Sequence, residues 1–258
     1  MTHGPGRMQG KRAVITGAAS GVGAATAERF ASEGGLVGLV DVDEEALFAL
    51  TDRIAATGAR ARALPADVTN EASIAEAITG AVDAWGGLDV VVANAGIQLF
   101  GQGAPAHLLH KDVWDRTLAV NLTGVFLTCK YGIAALLATE GGSVIVTASP
   151  TALYGLAAGF DAYSASKAGA LGLARVMAND YAREGIRVNA VVPGFTETPL
   201  VAERFADRDG LERRLESIPL GRAGQPEEIA SIMVYLGSDE SSYATGGVFT
   251  VDGGFTAV

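Results

Sequence analysis

The feature that most constrains the fold is a regular alternation of short apolar runs with longer segments that carry apolar residues at helical spacing. Short apolar runs that end in glycine, such as RAVITG at 12–17, are typical of strands buried on both faces. Parallel strands need a long crossover between them, and a helix usually supplies it. The alternation therefore predicts an α/β fold with a parallel sheet that is covered by helices on both faces.

Seven strands and seven helices are predicted in this series. The strands cover residues 12–17, 36–42, 62–68, 88–96, 143–149, 186–194 and 247–254. The helices cover residues 22–33, 43–57, 71–85, 112–137, 161–183, 200–216 and 226–238. Because no linker or repeat interrupts the series, we predict one doubly wound domain over residues 1–258. The helix at 200–216 is predicted to be mobile, and residues from about 195 to 220 are expected to form a substrate lid.

Composition excludes several classes of function. The net charge of −10 argues against a nucleic-acid partner, because phosphate binding needs a basic face. The single cysteine, Cys129, allows no internal disulfide and suits a reducing compartment. The amino-terminal stretch MTHGPGRMQGKR has no signal-peptide core, and no run has the roughly 18 apolar residues of a membrane span. We therefore expect a cytoplasmic protein with no metal site and no membrane partner.

A glycine-rich turn follows the first predicted strand. The stretch TGAASGVG places Gly17, Gly21 and Gly23 between a strand and a helix, with Ser20 and Val22 among them. Glycine lets the backbone approach a ligand closely, and a helix amino terminus attracts a pyrophosphate. The spacing differs from the common G-x-G-x-x-G, so an ordinary tight turn stays as the alternative.

Polar residues at the ends of the next strands suggest which dinucleotide would bind. Asp41, followed by Val42, can accept hydrogen bonds from the adenosine ribose, and it would repel a 2′-phosphate. No basic residue stands at 42 or 20, so NAD is favoured over NADP. Asp67, with Val68 after it, is a candidate for the adenine amino group. The alternatives are that Asp41 caps the next helix and that Asp67 is a cap or turn residue. The small residues Asn94, Ala95 and Gly96 would let a flat ring pass close to the fourth strand.

The residues suited to chemistry come later in the chain. Tyr163 and Lys167 lie four positions apart on a predicted helix, so their side chains share one face. A free phenol titrates near pH 10, and a neighbouring ammonium is expected to lower the pKa of Tyr163 by about 2 to 3 units. Ser149 ends the fifth strand and can hold a substrate oxygen, while Asn121 lies in the long helix before it. The pattern suits the interconversion of an alcohol and a carbonyl.

Together these motifs resemble the classical short-chain dehydrogenase/reductase family over residues 8 to 256. The resemblance implies a Rossmann-type domain, hydride transfer and a tetrad of Asn121, Ser149, Tyr163 and Lys167. It also implies that Asn121 supports a water that links Lys167 to solvent, and that Lys167 and Tyr163 contact the cofactor. The segment PGFTET resembles the nicotinamide-binding loop, which assigns Pro193, Gly194, Thr196 and Thr198 to the cofactor. Relatives in this family imply a homotetramer.

Residues after the fourth, fifth and sixth strands are expected to line a largely apolar substrate pocket. The main candidates are Gln98, Ser149, Leu153, Tyr154, Phe160, Tyr163, Phe195 and Leu200, with Phe100, Thr151, Leu156 and Phe205 beside them. The arginines at 204, 208, 213 and 214 alternate with acidic residues, so we predict that they form a solvated helix face rather than an anion clamp. The predicted substrate is a largely apolar secondary alcohol or its ketone.

Three alternatives remain open at this stage. The first is a 3-oxoacyl-thioester reductase of lipid synthesis, which Asp41 and the negative charge disfavour. The second is a non-catalytic NAD-binding scaffold, which has no need of all four tetrad residues. The third is a sugar epimerase or dehydratase, which would want more polar groups in its pocket.

Overall fold

The sheet has seven parallel strands in the order β3-β2-β1-β4-β5-β6-β7. The structure is a computed structural model that describes residues 6–155, 158–202 and 208–257. The strands are β1 (Arg12–Thr16), β2 (Leu36–Val40), β3 (Arg60–Ala63), β4 (Val90–Ala93), β5 (Gly142–Thr147), β6 (Ile186–Pro193) and β7 (Val248–Val251). Strand order reverses between β1 and β4, which is the switch point where ligands bind in such sheets. The predicted doubly wound fold is confirmed.

The third strand lies earlier than the sequence predicted. The prediction covered 62–68, but β3 spans Arg60–Ala63 and pairs with β2 from Leu36 onward. Pro65 explains the early end, because proline has no N–H group to donate to a ladder. Beyond β3 the chain keeps only two backbone bonds to this neighbour, from Leu64 N and Ala66 N.

Helices cover both faces of the sheet. They are α1 (Gly21–Ser32), α2 (Glu44–Ala56), α3 (Glu71–Trp85), α4 (Lys111–Leu118), α5 (Gly124–Leu137), α6 (Asp161–Tyr181), α7 (Arg208–Glu216) and α8 (Pro226–Gly237). The predicted helix at 112–137 is divided by a π-helical segment, Ala119–Thr123. Such segments are rare in proteins, and those that occur often lie at functional sites. Of the helix predicted at 200–216, residues 203–207 lie outside the described part.

Alternate residues of the strands pack into two separate hydrophobic cores, one on each face of the sheet. In β1, Val14 packs with α3, α5 and α6, whereas Ala13 and Ile15 pack with α1, α2 and α8. All five residues of β2 are buried, as expected for a strand with helices on both sides. Cys129 is buried in the first core, and burial raises the pKa of its thiol to about 12.

One helical segment, Lys111–Leu137, is long and apolar enough by length and composition to cross a membrane. Half of its apolar window is buried within the fold, where α5 packs on α3 and β4. The buried core helix of a globular fold passes the same test, so the position of α5 accounts for its hydropathy.

Candidate active site

A cavity of about 670 Å³ opens at the carboxyl ends of the strands. It brings together most of the residues that the sequence singled out. From the predicted sets it is lined by Gly17, Ser20, Gly21, Val22, Asp41, Val42, Asp67, Val68, Asn94, Ala95, Gly96, Gln98, Phe100, Ser149, Thr151, Phe160, Tyr163, Lys167, Pro193, Gly194, Phe195, Thr196, Thr198 and Leu200.

Four predicted residues do not line this cavity. Gly23 and Asn121 lie behind its wall, and Leu153 and Tyr154 lie beside it. A 3₁₀ turn after Ser149 turns the chain away, since the N–H groups of Leu153 and Tyr154 both bond to the Pro150 carbonyl. Leu153 then packs against the hydrophobic core, and Tyr154 is 51% exposed. These two side chains therefore do not line the cavity that was expected to hold the substrate, while Leu156 and Phe205 lie outside the described residues.

The glycine-rich turn has the close approaches that a dinucleotide site needs. Gly17 and Gly21 have φ angles of 66° and 54°, in the region that favours glycine. A Cβ on Gly17 would lie 2.8 Å from Ala95 Cα, and one on Gly23 would lie 1.9 Å from the Gly17 carbonyl oxygen. Gly23 therefore serves the turn rather than the cavity. The amino terminus of α1 faces the cavity, which suits a pyrophosphate.

Asp41 is held as a hydrogen-bond acceptor at the edge of the cavity. Its Oδ2 accepts from Ala19 N at 3.0 Å, and its Oδ1 accepts from the N–H groups of Val42 and Asp43. The cap of α2 is Asp43, whose side chain accepts from Ala46 N at 3.1 Å. Asp41 is therefore not the helix cap.

Asp67 is a turn residue that also lines the cavity. Its Oδ1 accepts from both the N–H and the hydroxyl of Thr69 at 2.8 Å, while Asn70 caps α3. The turn alternative is correct for Asp67, and its position at the cavity wall keeps the adenine role open.

Asn94 ties together the ends of three strands. Its Nδ2 donates to the Thr16 carbonyl at 3.1 Å, and its Oδ1 accepts from the Thr147 hydroxyl at 3.1 Å. These bonds join the ends of β1, β4 and β5 at the switch point. The floor of the cavity is therefore fixed by side-chain bonds as well as by the sheet.

Lys167 is buried beneath the cavity and points at a strand end. Its Nζ donates to the Thr147 carbonyl at 2.9 Å, and burial lowers the pKa of the ammonium to about 8. A Cβ on Gly96 would lie 3.2 Å from this Nζ. The glycine at position 96 therefore leaves the room that the lysine occupies.

Tyr163 lies one helical turn before Lys167, and its ring centre is 5.8 Å from the lysine Nζ. Burial raises the pKa of the phenol, and a hydrogen bond with Ser149 lowers it by less. The prediction that Lys167 lowers the pKa of Tyr163 was wrong for the polypeptide by itself. Desolvation of the phenol outweighs the effects of nearby charges and hydrogen bonds on its pKa. The Ser149 hydroxyl also accepts from the Thr151 hydroxyl at 3.1 Å.

Asn121 acts behind the cavity wall. It is fully buried in the π-helical segment, where its Oδ1 accepts from Ile97 N at 2.7 Å and its Nδ2 donates to the Ile97 carbonyl at 2.8 Å. Its Nδ2 also donates to the Ser166 hydroxyl at 3.2 Å. Asn121 thus joins the loop after β4 to the helix that carries Tyr163.

Aromatic side chains form one wall of the cavity beside Tyr163. The rings of Phe100 and Phe160 are 6.4 Å apart, and those of Phe160 and Tyr163 are 6.3 Å apart, both edge to face. On the α7 side, the Arg214 guanidinium lies 6.0 Å from the ring centre of Phe195. Arg214 lines the cavity, so the prediction of a solvated face was wrong for this arginine and fits the exposed Arg213.

Sequence reasoning missed several other lining residues. They are Ala66, Thr69, Ile97, Arg116, Val120, Thr147, Ala148, Pro150, Pro199, Val201, Gly210, Leu211, Ile218 and Phe255. Most of them are the immediate sequence neighbours of a predicted site residue. Including more residues on either side of each strand end would have found these neighbours. Within the described ranges no cluster of three or more histidine, cysteine or acidic side chains is placed to hold a metal ion.

Comparisons with known proteins agree with this geometry. The family model described as enoyl-(acyl carrier protein) reductase matches residues 17–256. A cis-4-hydroxycyclohexanecarboxylate dehydrogenase from Sinomonas cyclohexanicum is 43% identical over 95% of this chain and 96% of that protein. A 3-oxoacyl-[acyl-carrier-protein] reductase from Thermotoga maritima is 39% identical over 96% of this chain and 98% of that protein.

Solved structures have the same fold. One from Beutenbergia cavernae, with NADP bound at low occupancy, has a TM-score of 0.92 and is 34% identical, covering 99% of this chain and 100% of that one. The match to the family model and to these relatives extends over nearly the whole chain. The protein therefore belongs to the classical short-chain dehydrogenase/reductase family of oxidoreductases, which bind a nicotinamide cofactor.

Proposed function

We propose that the protein is an NAD-dependent oxidoreductase that interconverts a largely apolar secondary alcohol and its ketone. The observation that carries the proposal is the meeting of Ser149, Tyr163 and Lys167 at one end of a cavity whose adjoining wall is aromatic. A phenol beside a hydroxyl suits a substrate oxygen that gains or loses a proton.

The cofactor part of the proposal rests on Asp41. Its carboxylate is oriented by three backbone N–H groups and lines the cavity, which suits two ribose hydroxyls and opposes a 2′-phosphate. The turn from Gly17 to Gly21 would hold the pyrophosphate, and the loop with Thr196 and Thr198 would meet the carboxamide. The NADP in the Beutenbergia structure makes the NAD preference a point to test.

The mechanism assigns a role to each side chain. When bound, the nicotinamide ring supplies the acceptor or donor of hydride. During oxidation the carbinol carbon loses a hydride and its hydroxyl loses a proton, which passes to the Tyr163 oxygen. Ser149 donates a hydrogen bond to the substrate oxygen and stabilises its charge. Lys167, with a pKa of about 8, is largely protonated at pH 7 and favours the phenolate.

Asn121 positions this group and does not touch the substrate. Its bonds to Ile97 and Ser166 fix the loop after β4 against α6. Because the raised pKa of Tyr163 keeps the phenol protonated in the polypeptide alone, oxidation is expected to speed up as the pH rises.

The substrate proposal rests on the apolar wall. Phe100, Phe160 and Phe195 present rings to the cavity, and Leu200 adds an aliphatic side. The relative that acts on cis-4-hydroxycyclohexanecarboxylate supports a ring-shaped secondary alcohol. The segment from about 195 to 220 would close over this substrate.

A second candidate is a 3-oxoacyl-thioester reductase, which the Thermotoga relative and the description of the family model support. The net charge of −10 disfavours it, because an acyl carrier is acidic and needs a basic surface. The non-catalytic alternative is an NAD-binding scaffold, and it predicts binding without turnover.

We further propose a cytoplasmic homotetramer. Exposed apolar side chains support self-association, including Phe126 on α5 at 46% and Val176 on α6 at 58% exposure. Together with Leu122 and Leu173 they line a shallow apolar groove. Light scattering at micromolar concentration is expected to give four times the chain mass, and a monomer would contradict this assignment.

The experiment is NADH formation from NAD with secondary alcohols of alicyclic, aromatic, steroid and polyol classes. We expect turnover on at least one of the apolar classes and none above background with the Tyr163→Phe variant. A matched control is Tyr154→Phe, which removes a phenol that does not line the cavity. Turnover of 3-oxoacyl thioesters alone would favour the second candidate, and tight NADH binding without any turnover would favour the scaffold.

A further inference from the structure

An aromatic side chain from the segment after β7 reaches the cavity. Phe255, four residues after β7, is half-buried and lines the cavity. Phe249 and Val251 of β7 pack against the hydrophobic core that α1, α2 and α8 cover. Over the part of the chain that the structure describes, neither core includes Phe255. The ring of Phe255 therefore contributes to the cavity wall and not to the packing of the sheet.

Asp252 holds the turn that carries Phe255. Its Oδ1 accepts from Gly254 N at 3.0 Å, and its Oδ2 accepts from the N–H and the hydroxyl of Thr256 at 2.9 and 2.6 Å. The Phe255 N–H donates to the Asp252 carbonyl at 3.2 Å. An aspartate that bonds to the backbone ahead of it stabilises a turn. Hydrogen bonds on both sides of Phe255 therefore set the position from which its ring leaves the backbone.

The same turn packs against a second lining residue. A Cβ on Gly253, whose φ is 66°, would lie 2.7 Å from Ile218 Cγ2, so glycine allows the close approach. Ile218 is buried and lines the cavity, and Leu220 N donates to the Gly253 carbonyl at 3.0 Å. Phe255 and Ile218 therefore belong to one apolar stretch of the cavity wall.

The order of the strands puts Phe255 at the end of the cavity that is remote from the predicted adenosine ligands. Asp41 and Asp67 follow β2 and β3, whereas β7 lies at the other edge of the sheet. Ser149 follows β5, and at about 4.8 Å per strand the end of β7 is roughly 10 Å from the end of β5. The compact turn at Asp252 keeps Phe255 close to the end of β7. The cavity therefore extends beyond the reacting group by more than the width of one six-membered carbon ring.

We propose that Phe255 is a specificity-determining residue that forms the end wall of the substrate part of the cavity. The preferred substrate is a secondary alcohol whose apolar body continues beyond one ring and packs on Phe255, such as a fused bicyclic or a 4-alkyl cyclic alcohol. This inference rests on the proposed function and narrows its substrate class by length. Because the contact is remote from the reacting oxygen and is the same before and after hydride transfer, it changes KM more than kcat.

The steady-state test uses NAD with cyclohexanol and its 4-methyl, 4-ethyl and 4-propyl derivatives, each as a single isomer. For the wild type we expect KM to fall about three- to fourfold for each added carbon, because each one buries a further methylene group. Phe255→Ala should raise KM for 4-propylcyclohexanol about 10-fold with kcat changed by less than about threefold, because the end of the longer body loses its contact. KM for cyclohexanol should change by less than about twofold, since that ring ends short of Phe255. Phe255→Leu should recover part of the loss.

Tyr243→Ala is the matched control, since it removes an aromatic ring from a fully exposed position that does not line the cavity. It should leave KM for every alcohol of the series within about twofold of the wild type. A wild-type KM that does not fall as the alkyl group lengthens, or an equal loss on cyclohexanol and 4-propylcyclohexanol in Phe255→Ala, would overturn the inference. A lower KM for 4-propylcyclohexanol in Phe255→Ala would also overturn it, because the ring would then exclude the longer body instead of binding it.

A binding measurement separates this inference from the proposed function. Calorimetry on the NADH-loaded protein compares cyclohexanecarboxamide with its 4-propyl derivative, neither of which has a carbinol to oxidise. Tighter binding of the propyl derivative that is lost in Phe255→Ala supports the inference even when no alcohol is turned over. Equal binding of the two amides refutes the inference, while turnover of cyclohexanol would leave the proposed function standing.

Discussion

Replacing Asp41 by asparagine should weaken the preference for NAD over NADP. A 2′-phosphate carries about 1.5 to 2 negative charges, and a ribose held by Asp41 would place it within about 5 Å of the carboxylate. A unit pair at about 4 Å interacts by roughly 1 kcal/mol in water and roughly 4 kcal/mol near a protein surface. Asp41 is half-buried at an open cavity, so we take about 2 to 3 kcal/mol for the repulsion. That energy corresponds to roughly a 30- to 150-fold preference for NAD.

Asparagine conserves the shape and part of the bonding. Its Oδ1 can still accept from the N–H groups of Val42 and Asp43, and only the bond from Ala19 N is lost. We expect the Kd for NADPH to fall by about 10- to 100-fold. The Kd for NADH should rise by roughly fivefold, because neutral acceptors bind hydroxyls less strongly than charged ones.

Fluorescence titration with NADH and NADPH measures both constants in the wild type and in the variant. The matched control is Asp43→Asn, which removes the same charge at a position two residues after Asp41. The Asp43 side chain caps α2 and does not line the cavity. The reasoning would be refuted by a wild type that binds NADPH as tightly as NADH, or by a control that shifts the preference as much as Asp41→Asn does.

Three further changes test the parts of the site and its support. The Lys167 ammonium should titrate with a pKa of about 8 when followed by NMR of its ε-carbon, with Lys167→Met to assign the signal. Because the unfolded lysine keeps its proton up to a higher pH, the unfolding free energy relative to that variant should rise from pH 8 towards 10. Asn121→Ala should lower the unfolding free energy by about 2 to 4 kcal/mol in a urea titration, since it leaves both polar backbone groups of Ile97 without their partner. Asp89→Asn should cost about 2 kcal/mol at pH 7, because the carboxylate accepts three bonds from Arg12. Burial alone would raise the pKa of Asp89, but the Arg12 bonds outweigh it and lower the pKa, so this cost should shrink as the pH falls below the ordinary value of 3.8.

The sheet and the meeting of the site residues could be predicted because both follow from chain-level patterns. Alternation of strands and helices fixes a parallel sheet, and parallel strands bring their carboxyl ends to one edge. Gly17 and Asp41 were found because each directly follows a strand, and Ser149 because it lies two residues after the end of β5. These three residues line the same cavity because of the sheet topology, so their meeting can be predicted without knowing how side chains pack.

The errors concern effects that depend on packing in three dimensions. Pro65 ended β3 early, although the apolar pattern continued beyond it. Leu153 and Tyr154 were assigned to the substrate pocket because they lie near a strand end. A single 3₁₀ turn directs their side chains away from the cavity instead. The pKa of Tyr163 depends on how much water is removed, which the spacing to a lysine does not reveal.

Arg214 shows the same limit for charge patterns. Its sequence neighbours Glu212 and Glu216 suggest a solvated face, yet residues two apart lie on different sides of a helix. Only the angle at which α7 packs over the cavity determines which of its side chains turn inward. The cavity wall therefore includes one residue that the sequence placed on the outside.

The most direct test of the central claim is the fate of a deuterium atom on the carbinol carbon of an accepted alcohol. The account predicts that NAD is converted to reduced cofactor that is one mass unit heavier, as measured by mass spectrometry, and that Tyr163→Phe forms almost none. Reduced cofactor without deuterium, or equal formation by Tyr163→Phe, would contradict direct hydride transfer assisted by this tyrosine.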